Sequence, residues 1–221
     1  MTVPRLHVTV GVIGLVLATA TGVALGATLG VSSATLTTST GAASISPTTC
    51  TLNAADADSY VDGLSTGSNF GSATTLDVSS SLLGDRRTFV RFSLASCSIP
   101  GNALVTAASL RLVMYSAPSA SRTYDAHRVT ASWTEGGVTW SNQPAAAASA
   151  TSSISTGTAS NVTLAWTVTA DVQAFVDGTT NNGWRIRDQT ENAAIARTGQ
   201  FRSAEYGTAA DRPMLEVTYY P

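Results

Sequence analysis

Hydrophobic and polar residues alternate with a period of two along several short stretches of the chain. Thr88, Val90, Phe92 and Leu94 fall on one side of such a stretch, with Arg87, Phe89, Arg91 and Ser93 on the other. Leu110, Leu112 and Met114 alternate with Ser109, Arg111, Val113 and Tyr115, and Trp184, Ile186 and Asp188 with Arg185 and Arg187. Leu164, Trp166 and Val168 alternate with small or polar partners, and Leu215, Val217 and Tyr219 with Glu216 and Thr218. A pleated strand sends successive side chains to opposite faces, so each stretch predicts a half-buried β-strand. Pro100-Gly101, Gly136-Gly137 and Asn182-Gly183 supply turns between them. A single segment has helical spacing. Thr169 is placed to cap Ala170–Asp177, Asp171 lies in the first turn, and Val172, Phe175 and Val176 form one apolar face before Gly178. Two turns are too few to be stable alone, so this helix is expected to dock on a sheet. The whole pattern predicts an all-β chain, a jelly-roll-type β-sandwich with one short helix. A parallel α/β fold requires more helices between the strands.

The N-terminus is a different kind of polymer. After Arg5 and His7 the chain runs through residues 8–31 without a charge, then reaches small residues at Ser32 and Ala34. Residues 1–34 therefore read as a secretory signal peptide cleaved after Ala34. The apolar run also reaches the ~20 residues that span a bilayer, which leaves an uncleaved membrane anchor as the other reading. Both readings place the rest of the chain outside the cytoplasm, secreted or tethered at the cell surface. Only an uncleaved segment would touch the membrane. Residues 35–50 are rich in Ser, Thr, Ala and Gly and read as a linker, with the folded domain over residues 51–221.

Composition narrows the function. Charged residues make up 12% of the chain, lysine is absent, and the formal net charge is −2. A nucleic-acid partner has no electrostatic footprint to support it. The two cysteines, Cys50 and Cys97, both lie in the exported part and are expected to pair in an oxidising compartment.

The segment Ser132–Ala145, SWTEGGVTWSNQPA, places Trp133 and Trp140 around a Thr-Glu-Gly-Gly turn. It stands in a fixed series of landmarks, beginning with Ala57-Asp58-Ser59-Tyr60-Val61-Asp62 and Arg87-Thr88-Phe89-Val90-Arg91-Phe92-Ser93-Leu94. Ala108-Ser109-Leu110-Arg111-Leu112 and His127-Arg128-Val129-Thr130 precede the tryptophan segment. Val168-Thr169-Ala170-Asp171-Val172-Gln173, Asn182-Gly183-Trp184, Phe201-Arg202-Ser203 and Arg212-Pro213-Met214-Leu215-Glu216-Val217-Thr218-Tyr219 follow it. In this order the domain resembles the DNRLRE-domain proteins, also described as carbohydrate-binding module family 96. The resemblance implies an extracellular β-sandwich that binds polysaccharide, a property linked in that family to alginate-like acidic glycans.

Against this background the chemistry-bearing residues sort as follows. His127 lies in a strand-like stretch with no nucleophile elbow in the sequence, so a Ser-His-Asp hydrolase is not indicated and the chain is read as non-catalytic. Glu135, Asp125 and Glu205 are the carboxylates to watch, since a glycosidase needs only two facing each other. Asp56, Asp58 and Asp62 fall within seven residues and are the candidate ligands for a calcium ion. For a glycan ligand, Arg87, Phe89 and Arg91 form an outward ridge on one strand. Arg111, Arg185 and Arg187 extend it if their strands share that sheet. Tyr60 and Phe70, in a Gly- and Asn-rich stretch, are the candidate aromatic platform. Trp133, Trp140, Trp166 and Trp184 are assigned to the core. The expected partner is a polysaccharide or cell-surface glycan; a structural envelope module without a sugar ligand is the alternative.

Overall fold

The computed structural model describes residues 46–221; the predicted signal or anchor segment and most of the predicted linker lie outside the described residues. The chain forms β1 (Thr48–Asn53), β2 (Ala57–Asp62), β3 (Thr75–Ser80) and β4 (Arg86–Arg91), then a long β5 (Leu104–Ser116). There follow β6 (Thr123–Arg128), β7 (Ser152–Ser155), β8 (Val162–Thr167), the helix α1 (Thr169–Val176), β9 (Trp184–Asp188), β10 (Arg197–Arg202) and β11 (Met214–Tyr220). β1 takes up Thr48, Thr49 and Cys50, which composition assigns to the linker. These residues are held by pairing with the last strand, Cys50 opposite Val217.

The strands are ordered β1-β11-β5-β10-β3-β4-β9-β6-β7, with β2 added on β4 and β8 on β5, and every pairing is antiparallel. β3 and β4 share a single register pair, Ser79 with Arg86. The sheet curls over so that residues on the two sides of this seam fill one core. Leu110, Leu112, Met114, Trp166, Phe201 and Leu215 come from one layer, and Val90, Phe92, Tyr124, Trp184 and Ile186 from the other. The result is the predicted jelly-roll-type β-sandwich, and the inward set of each alternating strand is the mainly apolar one, with Thr88 and Asp188 as its polar members.

Polar groups drawn into this core are partnered, as burial demands. Trp166 Nε1 donates to the Tyr124 carbonyl at 3.0 Å and Trp184 Nε1 to Asp171 Oδ2 at 2.8 Å. Asp188, inward on β9, receives Arg122 through two bonds of 2.7 and 2.8 Å. The helix docks as expected, burying Val172 and Phe175, yet its start differs. Thr169 does not cap it. The Thr169 hydroxyl instead accepts the Ala108 N–H at 3.0 Å, and the N-cap is Val168 with no side-chain bond. A neighbouring strand with an open amide competes successfully for the hydroxyl.

A disulfide joins Cys50 to Cys97 with the Cα atoms 5.7 Å apart. It ties β1, on one edge of the sheet, to the short turn Ala95–Cys97 that follows β4.

Candidate functional site

The outer face of the second layer is where the predicted arginine ridge lies. β4 pairs with β9 and β9 with β6, so Phe89 stands opposite Arg185 and Arg185 opposite His127 across three strands. Residues directly opposite share a face of the sheet. The same face carries Arg87 and Arg187, which converge on one carboxylate, Glu191. Arg87 grips Glu191 with bonds of 2.6 and 2.7 Å, and Arg187 reaches it at 3.3 Å. Burial works against a charge on Glu191, but its bonds to Arg87 and the field of Arg87, Arg187 and Arg185 hold its pKa below the ordinary carboxylate value.

Arg185 is the unmatched member. It has no ion-pair partner among the described residues, and its Nε is buried without a hydrogen-bond partner. Burial, with repulsion from Arg87 and Arg187, pulls its guanidinium down to about 10. Three guanidiniums thus stand against two carboxylates in a half-buried setting, Glu191 and Asp125, the latter on β6 opposite Arg187. Arg87 also donates to Gln143 at 2.8 Å and lies over the Trp140 ring, 4.6 Å from its centroid. Trp140 is therefore half-buried at the border of this cluster, not within the main core assigned to it.

Phe89 and Arg91 correct the predicted ridge. Phe89 points to the outer face but is fully buried there. Residues 129–146 fold over it and, with Ala57 and Val61 of β2, form a second small core around Trp133 and Val138. Phe89 and Trp133 meet with their centroids 5.8 Å apart, and Trp133 Nε1 donates to the Asn182 carbonyl at 2.9 Å. Alternation gives the side of a sheet and is silent on whether a loop covers that side. Arg91 is spent on the same loop: it lies 5.4 Å from the Trp133 centroid and donates to the Trp133 carbonyl at 3.2 Å. Arg111 is on the other layer, paired with Glu216 at 3.3 Å, and does not extend the cluster.

Tyr60 and Phe70 come together, stacked with centroids 4.2 Å apart and planes inclined by 15°. Each is half-buried, and stacking uses one face of each ring. Arg86 approaches Tyr60, 5.9 Å from its centroid, while bonding Asp62 at 3.0 Å and Asp77 at 2.8 Å. A second pairing of this kind escaped the sequence reading. Arg202 sits between Tyr115 and Tyr206, 3.9 Å from each centroid, joining β10, β5 and a turn.

The three aspartates proposed for calcium are not brought together. Asp56 is exposed before β2, and Asp62 is engaged by Arg86 and by the Leu64 N–H at 2.8 Å. Asp58 is fully buried and faces different partners, Glu135 and Glu205; one carboxylate oxygen from each of the three lies within 4.8 Å of the others. Burial pushes the Asp58 carboxyl up to about 8 despite the Ala204 N–H bonded to it, with Glu205 and Glu135 adding to the rise. Glu135 and Glu205 are two of the three carboxylates that the sequence leaves open for glycosidase chemistry. Their meeting with Asp58 depends on a loop and a turn far apart in the chain. Asp125, the other carboxylate of that group, is buried and accepts the Ser153 hydroxyl at 2.6 Å.

Comparison with curated proteins returns no match. A family model, carbohydrate-binding module family 96, matches residues 49–219, from the second residue of β1 into β11. With a match across the entire sandwich, this chain belongs to carbohydrate-binding module family 96.

Proposed function

We propose that the protein is an exported, non-catalytic module that holds an acidic polysaccharide on the arginine face of its second layer. Arg185 would meet the sugar carboxylate, with Arg187 beside it and Arg87 held in place by Glu191 and Trp140. The observation that carries this reading is the charge imbalance there: three guanidiniums face two carboxylates, Glu191 and Asp125, and Arg185 has a buried Nε with no partner. A planar guanidinium fork matches a carboxylate through two parallel bonds, which is the geometry a uronic acid offers. Family membership supports a carbohydrate as the ligand class, and a disulfide is consistent with an extracellular site of action. The Tyr60–Phe70 stack is a second contact surface in this proposal, able to offer one ring face to a sugar.

Affinity electrophoresis of the full-length protein through gels containing a polyuronate or a neutral glucan tests the proposal. Retardation is expected in the polyuronate. Arg185→Gln should weaken it about 10-fold or more, the cost of losing a charge-assisted hydrogen bond. Wild-type affinity in that variant would remove Arg185 from the site. Free migration of the wild type in every acidic polymer would favour the structural envelope module instead.

A further inference from the structure

The acidic cluster of Asp58, Glu135 and Glu205 is built from three separate parts of the fold. Asp58 is on β2, Glu135 is in the Thr-Glu-Gly-Gly turn, and Glu205 is in the turn after β10. Their carboxylate oxygens converge within 4.8 Å. None of the three forms an ion pair with an arginine or histidine among the described residues. Convergence of acids alone is common on protein surfaces; the state of Asp58 sets this cluster apart. Its side chain is sealed from solvent, Oδ2 accepts the Ala204 N–H at 2.8 Å, and Oδ1 receives no donor and faces only other carboxylates. A buried carboxylate oxygen without a donor is costly, and here two more carboxylates approach it.

The surroundings hold the cluster in place. Glu135 Oε1 accepts the Asp58 N–H at 2.8 Å, and its carbonyl accepts from Asn69 at 2.6 Å. Gly71 packs so closely that a Cβ there would lie 2.5 Å from the Glu135 carbonyl oxygen and 2.7 Å from its Cγ. The Ser203 hydroxyl accepts the Glu205 N–H at 3.2 Å and donates to the Ala73 carbonyl at 2.7 Å.

We propose that Asp58, Glu135 and Glu205 bind a hard divalent cation of the calcium class, which clamps β2, the tryptophan loop and the turn after β10 to one another. Three oxygen donors with no nitrogen or sulfur suit such an ion, and calcium tolerates the irregular, partly hydrated shell that three carboxylates leave. Asp56 and Asp62 take no part. The inference is independent of the glycan reading, since no residue is shared between the two sites.

Calorimetric titration of chelator-treated full-length protein with calcium chloride, alongside thermal melts, tests it. One equivalent should bind with a Kd in the range of extracellular calcium modules, about 10⁻⁴ to 10⁻³ M or tighter. Saturating calcium should raise Tm by roughly 5 °C or more, reversed by chelation. Glu205→Gln, at an exposed position that leaves folding undisturbed, should weaken calcium binding at least about 10-fold, and Asp58→Asn should abolish it. Asp56→Asn should match the wild type. Absence of both heat and Tm shift in the wild type would overturn the proposal, leaving a proton shared between Asp58 and Glu205 as the account of the cluster. Equal calcium affinity in Glu205→Gln would overturn it as well.

Discussion

His127 is held as a neutral imidazole by the two groups it touches. Arg187 Nε donates to His127 Nε2 at 3.2 Å, so the ring proton is on Nδ1, which donates to the Ala147 carbonyl at 2.9 Å. Burial, with the nearby charges of Arg185 and Arg187, lowers the His127 pKa from 6.5, outweighing the Ala147 bond and Asp125, whose Oδ2 is 3.9 Å from Nε2. As pH falls below about 6.5, the unfolded chain therefore takes up a proton before the folded one, and stability declines until folded His127 also protonates. His127→Gln, which keeps a neutral polar group, should remove this part of the decline. Urea unfolding at about pH 7.5 and pH 5 measures it; a difference as large in the variant as in the wild type would show that His127 does not titrate this way. The sequence pointed to a His127 outside any hydrolase triad, but its partners come from β9 and from the loop after β6. Phe89 teaches the same lesson from the other side: its outward parity was legible, and its burial under Trp133 was not.

Among the elements, β1 depends most on contacts far away in the chain. It pairs only with β11, and its one covalent tie closes a loop of 47 residues between Cys50 and Cys97. On the chain-entropy account, closing such a loop in the unfolded state contributes about 4 kcal/mol of stability. Cys97→Ser should lower the unfolding free energy by about that amount and speed amide exchange through Thr48–Asn53, read by hydrogen-exchange mass spectrometry. A loss below about 1 kcal/mol would mean that strand pairing alone secures the edge. The start of α1 shows where local signals stop: a threonine before an apolar face is a good cap in isolation, but Ala108 of β5 supplies a donor that only the docked fold brings near.

For the molecule as a whole, charge is distributed unevenly. The full chain has a formal net charge of −2, yet Arg87, Arg185 and Arg187 concentrate positive charge on one face. An acidic polymer would be attracted locally and repelled by the remainder, so binding on this face should depend strongly on ionic strength. Raising salt from about 0.05 M to 0.5 M shortens the screening length well below about 10 Å and should weaken polyuronate retention several-fold. Affinity that is insensitive to salt would argue for stacking on Tyr60 and Phe70 in place of the arginines.

The strands β4, β5, β8, β9 and β11, the short helix and the inward sets of Leu110, Trp166, Trp184 and Leu215 were legible in the sequence itself, because the pleat and the helical turn are local rules that act within a few residues. So was the resemblance to the family, which rests on landmarks in linear order. The tertiary structure alone decided which charges meet. Glu191 joins Arg87 across 104 positions, and Asp58 reaches Glu135 across 77 and Ala204 across 146. These encounters are set by which strands become neighbours and by which loop closes over a face, and both are determined by the packing of the whole sandwich.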